Sequence, residues 1–105
     1  MKWFKNKLTD TRSKTFIFEN ENIPIGQIRI DKIEDRWLID YSVDKNQRGK
    51  GYGFLISNAL VRRFNNFKFK AVVKHGNIAS KKVFEKLGFT KKNNQKGNLI
   101  TYLLN

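Results

Sequence analysis

Arg48-Gly49-Lys50-Gly51-Tyr52-Gly53 separates an apolar, β-branched segment (Trp37 to Val43) from a run whose apolar residues recur at helical spacing. Glycine at every second position lets the backbone curl, because glycine alone accepts positive φ without steric cost. Phe54, Leu55, Ile56, Ala59, Leu60 and Phe64 then mark one side of a helix reaching to about Asn65. A curled backbone opening a helix presents several unpaired N–H groups, and the helix dipole favours negative charge there. The stretch is therefore suited to holding a phosphate or pyrophosphate.

Upstream of this loop the pattern is β. Thr15-Phe16-Ile17-Phe18 reads as a strand, Glu19 to Asn22 as a turn, and Ile23 to Asp31 as a second strand with Pro24 near its start. Ile28 and Ile30 alternate with Gln27, Arg29 and Asp31, so one face of that strand is wet or functional. Trp37 to Val43 completes an antiparallel meander, and Lys2 to about Leu8 is expected to form a short helix ahead of it. Downstream, Phe69 to Lys74 is a fourth strand, parallel to the third because a helix crosses between them. Asn77 has the character of an N-cap for a second helix lined by Ile78, Ala79, Val83, Phe84 and Leu87, with Gly88 at its stop. Phe89 to Lys91 and Asn98 to Leu104 are expected to close as a hairpin around Asn93 to Gly97. The fold class is α+β, with a mixed, mostly antiparallel sheet flanked by helices, in a single domain over residues 1–105.

Composition narrows the chemistry. The absence of cysteine excludes disulfides, thiolate zinc sites and a cysteine nucleophile, and one histidine, His75, excludes a multi-histidine metal site. No metal is expected. No apolar run approaches a membrane span, and the start, Met1-Lys2-Trp3-Phe4-Lys5, lacks a signal peptide's apolar region, so a cytoplasmic protein is the expectation. The net charge of +13 would attract nucleic acid or anionic small molecules. The lysines are scattered from end to end, which also fits a compositional bias in the encoding genome.

The element order, with the glycine loop after the third strand, resembles the GNAT superfamily of acetyl-CoA-dependent N-acyltransferases. Arg48, Gly51 and Gly53 match its signature Arg/Gln-x-x-Gly-x-Gly/Ala. Asn77 to Phe89 is similar to a second signature, Asn-x-x-Ser/Ala-x-x-x-Tyr/Phe-x-x-x-Gly-Phe, through Asn77, Ser80, Phe84, Gly88 and Phe89. Ile23 to Arg29 is also similar to GNAT domains of bacterial amino-sugar pathways, which acetylate nucleotide-linked sugars for surface polysaccharides; Trp3-Phe4 fits the same group. The family's domain usually begins with another strand and two helices, and this chain resembles one starting within the second of those helices.

The resemblance implies that acetyl-CoA lies in a V between the third and fourth strands. Backbone N–H groups from Gly49, Lys50, Gly51, Tyr52 and Gly53 would hold its pyrophosphate, assisted by the charges of Arg48 and Lys50. Val43 matches the position that pairs with the pantetheine arm, and the N–H of Tyr41 would face the thioester carbonyl. Asn77 would contact the cofactor or serve only as a helix cap. Asp40 would take the amine's proton, or would simply pair with a lysine at a sheet edge. Phe84 stands where many relatives carry a tyrosine that protonates the leaving thiolate, which leaves Ser80 or water for that task. Gln27 and Arg29 would contact a polyhydroxylated, phosphate-bearing acceptor if their face lines the cleft. Trp37 is expected in the core.

Three readings follow: an N-acetyltransferase acting on a small amine such as an amino sugar, a non-catalytic acyl-CoA-binding domain, and a basic nucleic-acid-binding module. The aromatics occupy core positions instead of interleaving with basic residues, which argues against the third. A symmetric dimer through a sheet edge or an uncovered face is the simplest assembly.

Overall fold

The computed structural model describes residues 2–5, 11–92 and 97–105. Alternating apolar and polar residues build its first half. Strands β1 (Lys2–Lys5), β2 (Ser13–Asn20), β3 (Ile23–Ile33) and β4 (Arg36–Val43) pair consecutively and antiparallel. Phe16, Phe18, Ile28, Ile30, Trp37 and Ile39 are buried, while Ile17 and Arg29 between them, and Asp40 just after Ile39, are exposed. This two-residue period puts one face of the meander into the core and leaves the other open.

The N-terminal expectation is corrected. Lys2 to Lys5 is a strand, not the start of a helix, and is held at the sheet edge by pairing with Phe16 to Glu19. Four residues carry too little periodicity to identify a helix, and the ladder offered by β2 is a tertiary circumstance. Residues 6–10, the remainder of that expected helix, lie outside the described residues.

Helix α1 (Tyr52–Arg63) follows the glycine loop and leads to β5 (Phe69–Lys74); α2 (Ile78–Lys86) leads on to β6 (Thr90–Lys91) and β7 (Leu99–Leu104). Among the described residues seven strands lie in the order β1-β2-β3-β4-β5-β7-β6, with β4–β5 parallel and the other five pairs antiparallel. The expected α+β architecture and the closing antiparallel pair are present. Of the turn expected between its strands, only Gly97 belongs to the described residues. Gly88, at φ 94, stops α2 in the left-handed conformation that favours glycine.

Both helices pack on the same face of the sheet. Ile56 and Leu60 of α1 and Phe84 of α2 join Phe69, Ala71, Ile100 and Tyr102 in one core. The opposite face leaves Ile17, Ile33, Val72 and Leu99 exposed. Trp37 is buried and stacks on Phe67, with centroids 4.9 Å apart and planes 5° from parallel. Phe67 stacks in turn on Phe64, also at 4.9 Å. Beside this aromatic column, β4 and β5 pair over only Trp37↔Phe69 and Leu38↔Lys70. The Trp37 N–H donates to the Lys68 carbonyl (2.8 Å), and Arg36 Nη1 donates to the Phe69 carbonyl (3.0 Å). Beyond that seam the two strands part.

Two consequences can be measured. A Cβ on Gly26 would overlap the Ser42 carbonyl on the neighbouring strand, and backbone cannot move aside cheaply. Gly26→Ala should therefore lower the unfolding free energy by about 1–3 kcal/mol in urea titrations. The buried Tyr102 hydroxyl donates to Glu85 Oε2 (2.8 Å), and burial first, then this carboxylate, push its pKa up to about 12. A phenol with a raised folded-state pKa contributes stability that is complete below its unfolded value of about 10 and is lost as pH rises toward 12. The unfolding free energy should fall across that window, and Tyr102→Phe should flatten the fall.

Candidate functional site

The parting of β4 and β5 opens a cleft of about 590 Å3 beside the glycine loop. Tyr41, Ser42 and Val43 form one wall, Gln47 to Phe54 contribute the loop and the start of α1, and Asn77, Ala79, Ser80 and Val83 close the α2 side. Backbone parity determines what β4 offers. Because the Trp37 N–H points toward β5, the N–H groups of Tyr41 and Val43 point the same way, into the gap that β5 has left. Asp44, of opposite parity, donates to the Ile25 carbonyl on β3 (2.8 Å).

The three loop glycines serve two different purposes. Gly49 and Gly51 have φ of 79° and 82°, so both need the freedom of glycine. Gly51 is the residue that opens α1, with no side-chain cap, leaving the first N–H groups of a 12-residue helix without an internal partner. Gly53 has an ordinary φ and is needed for space. A Cβ there would lie 2.9 Å from Cε2 of the Tyr41 ring. Arg48 Nε donates to the Val43 carbonyl (3.1 Å), tying the loop to the end of β4. Asp44 is a turn residue, accepting from the Asn46 N–H (3.2 Å) at the head of a 3-10 turn over Lys45–Gln47.

On the far side, Asn77 is the N-cap of α2, its side chain accepting from the Ser80 N–H (3.1 Å). This holds Ser80 facing β4, where its Oγ lies 2.9 Å from the Tyr41 hydroxyl. Burial pushes the Tyr41 phenol above its usual pKa, opposed by the Ser80 hydrogen bond and reinforced by the charge of Asp40.

Of the residues expected to hold a cofactor, Val43, Arg48, Gly49, Gly51, Tyr52, Gly53 and Asn77 line the cleft. Two do not. The Lys50 ammonium turns to Gln47 Oε1 (3.2 Å), and Phe84 is buried behind the cleft wall, packed on Tyr41, Phe89 and Tyr102. Tyr41 and Ser80 meet in the cleft. Asp40 does not join them, because alternation along β4 sends it to the opposite face, across from Arg29. Gln27 lies in an adjoining hollow of about 380 Å3 shared with Ser42, Val43, Asp44, Lys45 and Arg48. Arg29 is turned to Asp31 (2.9 Å) and stays outside both spaces. His75 is exposed, and its backbone N–H donates to the Asn98 carbonyl (2.7 Å). Sequence reasoning missed Ser42, Gln47, Phe54, Ala79 and Val83 as lining residues; their proximity to the matched motif positions was the available signal. Among the described residues no cluster of three or more His, Asp or Glu could hold a metal, and no described helix is long and apolar enough to cross a membrane.

Solved structures share this architecture. A ribosomal L7/L12 alpha-N-protein acetyltransferase, RimL, in complex with coenzyme A superposes with a TM-score of 0.78 at 19% identity, covering 90% of this chain and 62% of that one. The spermidine N-acetyltransferase SpeG of Vibrio cholerae, in an F149A mutant, gives 0.77 at 19% identity, covering 90% and 66%. The N-acetyltransferase PseH of Campylobacter jejuni gives 0.74 at 19%, covering 90% and 69%. This chain thus spans somewhat under two thirds of the length of the first two. No curated protein matches it in sequence. A sequence model described as the acetyltransferase (GNAT) family matches residues 1–89, a span that holds both glycine-loop and Asn77 motifs and every wall of the cleft, and the chain belongs to that family.

Proposed function

We propose that this chain transfers an acetyl group from acetyl-CoA to a primary amine of a small acceptor in the cytoplasm. The observation that carries the reading is the coincidence of two features in one cleft. Left-handed Gly49 and Gly51 open a 12-residue helix, and β4 beside them turns the Tyr41 and Val43 N–H groups into a gap left by β5. A Cβ on either glycine would meet nothing within 4 Å, so the space over the loop is free for a ligand. The pyrophosphate would lie on the loop N–H groups, favoured by the helix dipole and by Arg48. The pantetheine arm would continue the sheet along Val43, in place of the strand pairing that β5 gives up.

The chemistry then follows from position. A thioester carbonyl beside the Tyr41 N–H gains a donor aimed at the oxygen where charge develops as the amine attacks. Holding both reactants in the cleft supplies much of the remaining acceleration. The adjoining hollow, with Gln27, Ser42 and Asp44 on its walls, would take the acceptor. A chain of net charge +13 attracts anionic acceptors and repels polycations, which favours a nucleotide-linked amino sugar over a polyamine. Asp40, on the outer face, is left as a proton acceptor only for an amine approaching from that side.

A second reading is favoured by Phe84. It has no ionisable group and is buried, so a chain lacking another proton donor would bind acyl-CoA without efficient turnover. The exposed Ile33, Val72 and Leu99 offer a symmetric dimer a surface. Light scattering that gives a monomer at high concentration would exclude that assembly.

Calorimetry with acetyl-CoA tests the main proposal. The unaltered protein should bind, and Gly51→Glu, which places a carboxylate and a strained left-handed residue at the loop, should weaken binding by about tenfold or more. Failure of the folded protein to bind would overturn the reading. Binding with no acetyl transfer to amino sugars, polyamines or peptide N-termini would favour the second.

A further inference from the structure

Phe84 supplies no proton to a departing sulfur, yet the residue packed against it can. The Tyr41 ring lies 5.9 Å from the Phe84 ring, on the cleft side, with its hydroxyl 2.9 Å from Ser80 Oγ. Three neighbours fix that position. Phe84 backs the ring, Ser80 engages the hydroxyl, and Gly53 lets α1 come so close that a Cβ there would lie 3.3 Å from the Tyr41 oxygen. Ser80 is itself held, since Asn77 accepts from its N–H. Tyr41 also turns its backbone N–H into the gap where β5 departs, so it offers a backbone donor and a hydroxyl on a single cleft wall.

We propose that the Tyr41 hydroxyl donates the proton that the thioester sulfur needs when it leaves, with Ser80 as the relay behind it. This rests on the acetyltransferase reading above. As the amine nitrogen bonds to the carbonyl carbon, the π pair moves to oxygen. The carbonyl then re-forms and the C–S bond breaks, its electron pair going to sulfur. The Tyr41 proton passes to sulfur, the Ser80 proton passes to the Tyr41 oxygen, and water carrying the proton lost by nitrogen restores Ser80. The products are the amide and a neutral thiol, and no redox partner is involved. Burial raises the phenol's pKa, so the proton is present on Tyr41 at neutral pH, and it is the placement of the hydroxyl on the cleft wall that carries the role.

The test combines Tyr41→Phe, which removes one oxygen and keeps the ring packing, with Ser80→Ala, which keeps the phenol. Turnover is measured alongside calorimetric binding of CoA and of desulfo-CoA. Tyr41→Phe should lower kcat by about 100-fold, a usual contribution for a positioned acid. It should also erase the unaltered protein's preference for CoA over desulfo-CoA, while Ser80→Ala loses less of both. A lower kcat with the preference intact would mark a structural role and overturn the proposal. Unchanged turnover and preference in Tyr41→Phe would overturn it while leaving the acetyltransferase reading in place. If the protein binds CoA without turnover, the preference alone decides. Failure of the unaltered protein to bind either compound would remove the acetyltransferase reading and this proposal with it.

Discussion

The fold turns on a two-residue parallel seam. Trp37 and Leu38 pair with Phe69 and Lys70, and there the pairing of β4 with β5 ends. The seam is short but heavily buttressed. Trp37, Phe67 and Phe64 form a column of stacked rings beside it, Phe16 packs on Phe64, and Arg36 reaches the carbonyls of Phe69 and Leu104. Buried aromatic surface and a cationic donor on backbone oxygens give the closed end of the V what its two ladder pairs cannot. The open end can therefore stay open. Backbone groups of β4 that would otherwise complete a sheet are left facing a cleft, at the cost of ladder hydrogen bonds that a ligand can replace.

The glycine loop extends this economy to the helix. Two left-handed glycines turn the chain from β4 into α1, and Arg48 ties the turn back to Val43. The third glycine admits the Tyr41 ring. One short segment thus sets where the helix N-terminus points and how closely it approaches the wall of β4. Ser80 and Asn77 set the opposite wall, through a helix cap that is at once a local stop signal and a positioning device for the serine hydroxyl.

Expectation and structure part for both long-range and local reasons. Lys2 to Lys5 could satisfy its backbone in a helix or in a ladder, and β2 offers the ladder. Asp40 is expected near the site because the family resemblance implies a carboxylate on this strand, but its side chain is exposed across from Arg29, on the face away from Tyr41. Phe84 occupies a motif position and still does not reach the cleft, because the Tyr41 ring stands between. Lys50 falls within the loop motif, yet its flexible side chain finds Gln47.

The sequence by itself determined the element types from Thr15 onward, the α+β class, the N-cap at Asn77 and the glycine loop ahead of α1. Each rests on local physics: a two-residue apolar period, a 3.6-residue period, an acceptor side chain at a helix start, and glycine's tolerance of positive φ. Tertiary structure alone decided that β4 and β5 separate after two pairs, that Lys2 to Lys5 joins the sheet, and that Tyr41 meets Ser80 across the cleft. These depend on contacts between residues as far apart as 39 positions in the chain. No local pattern encodes such a distance, because it is set by the packing of whole strands and helices on one another.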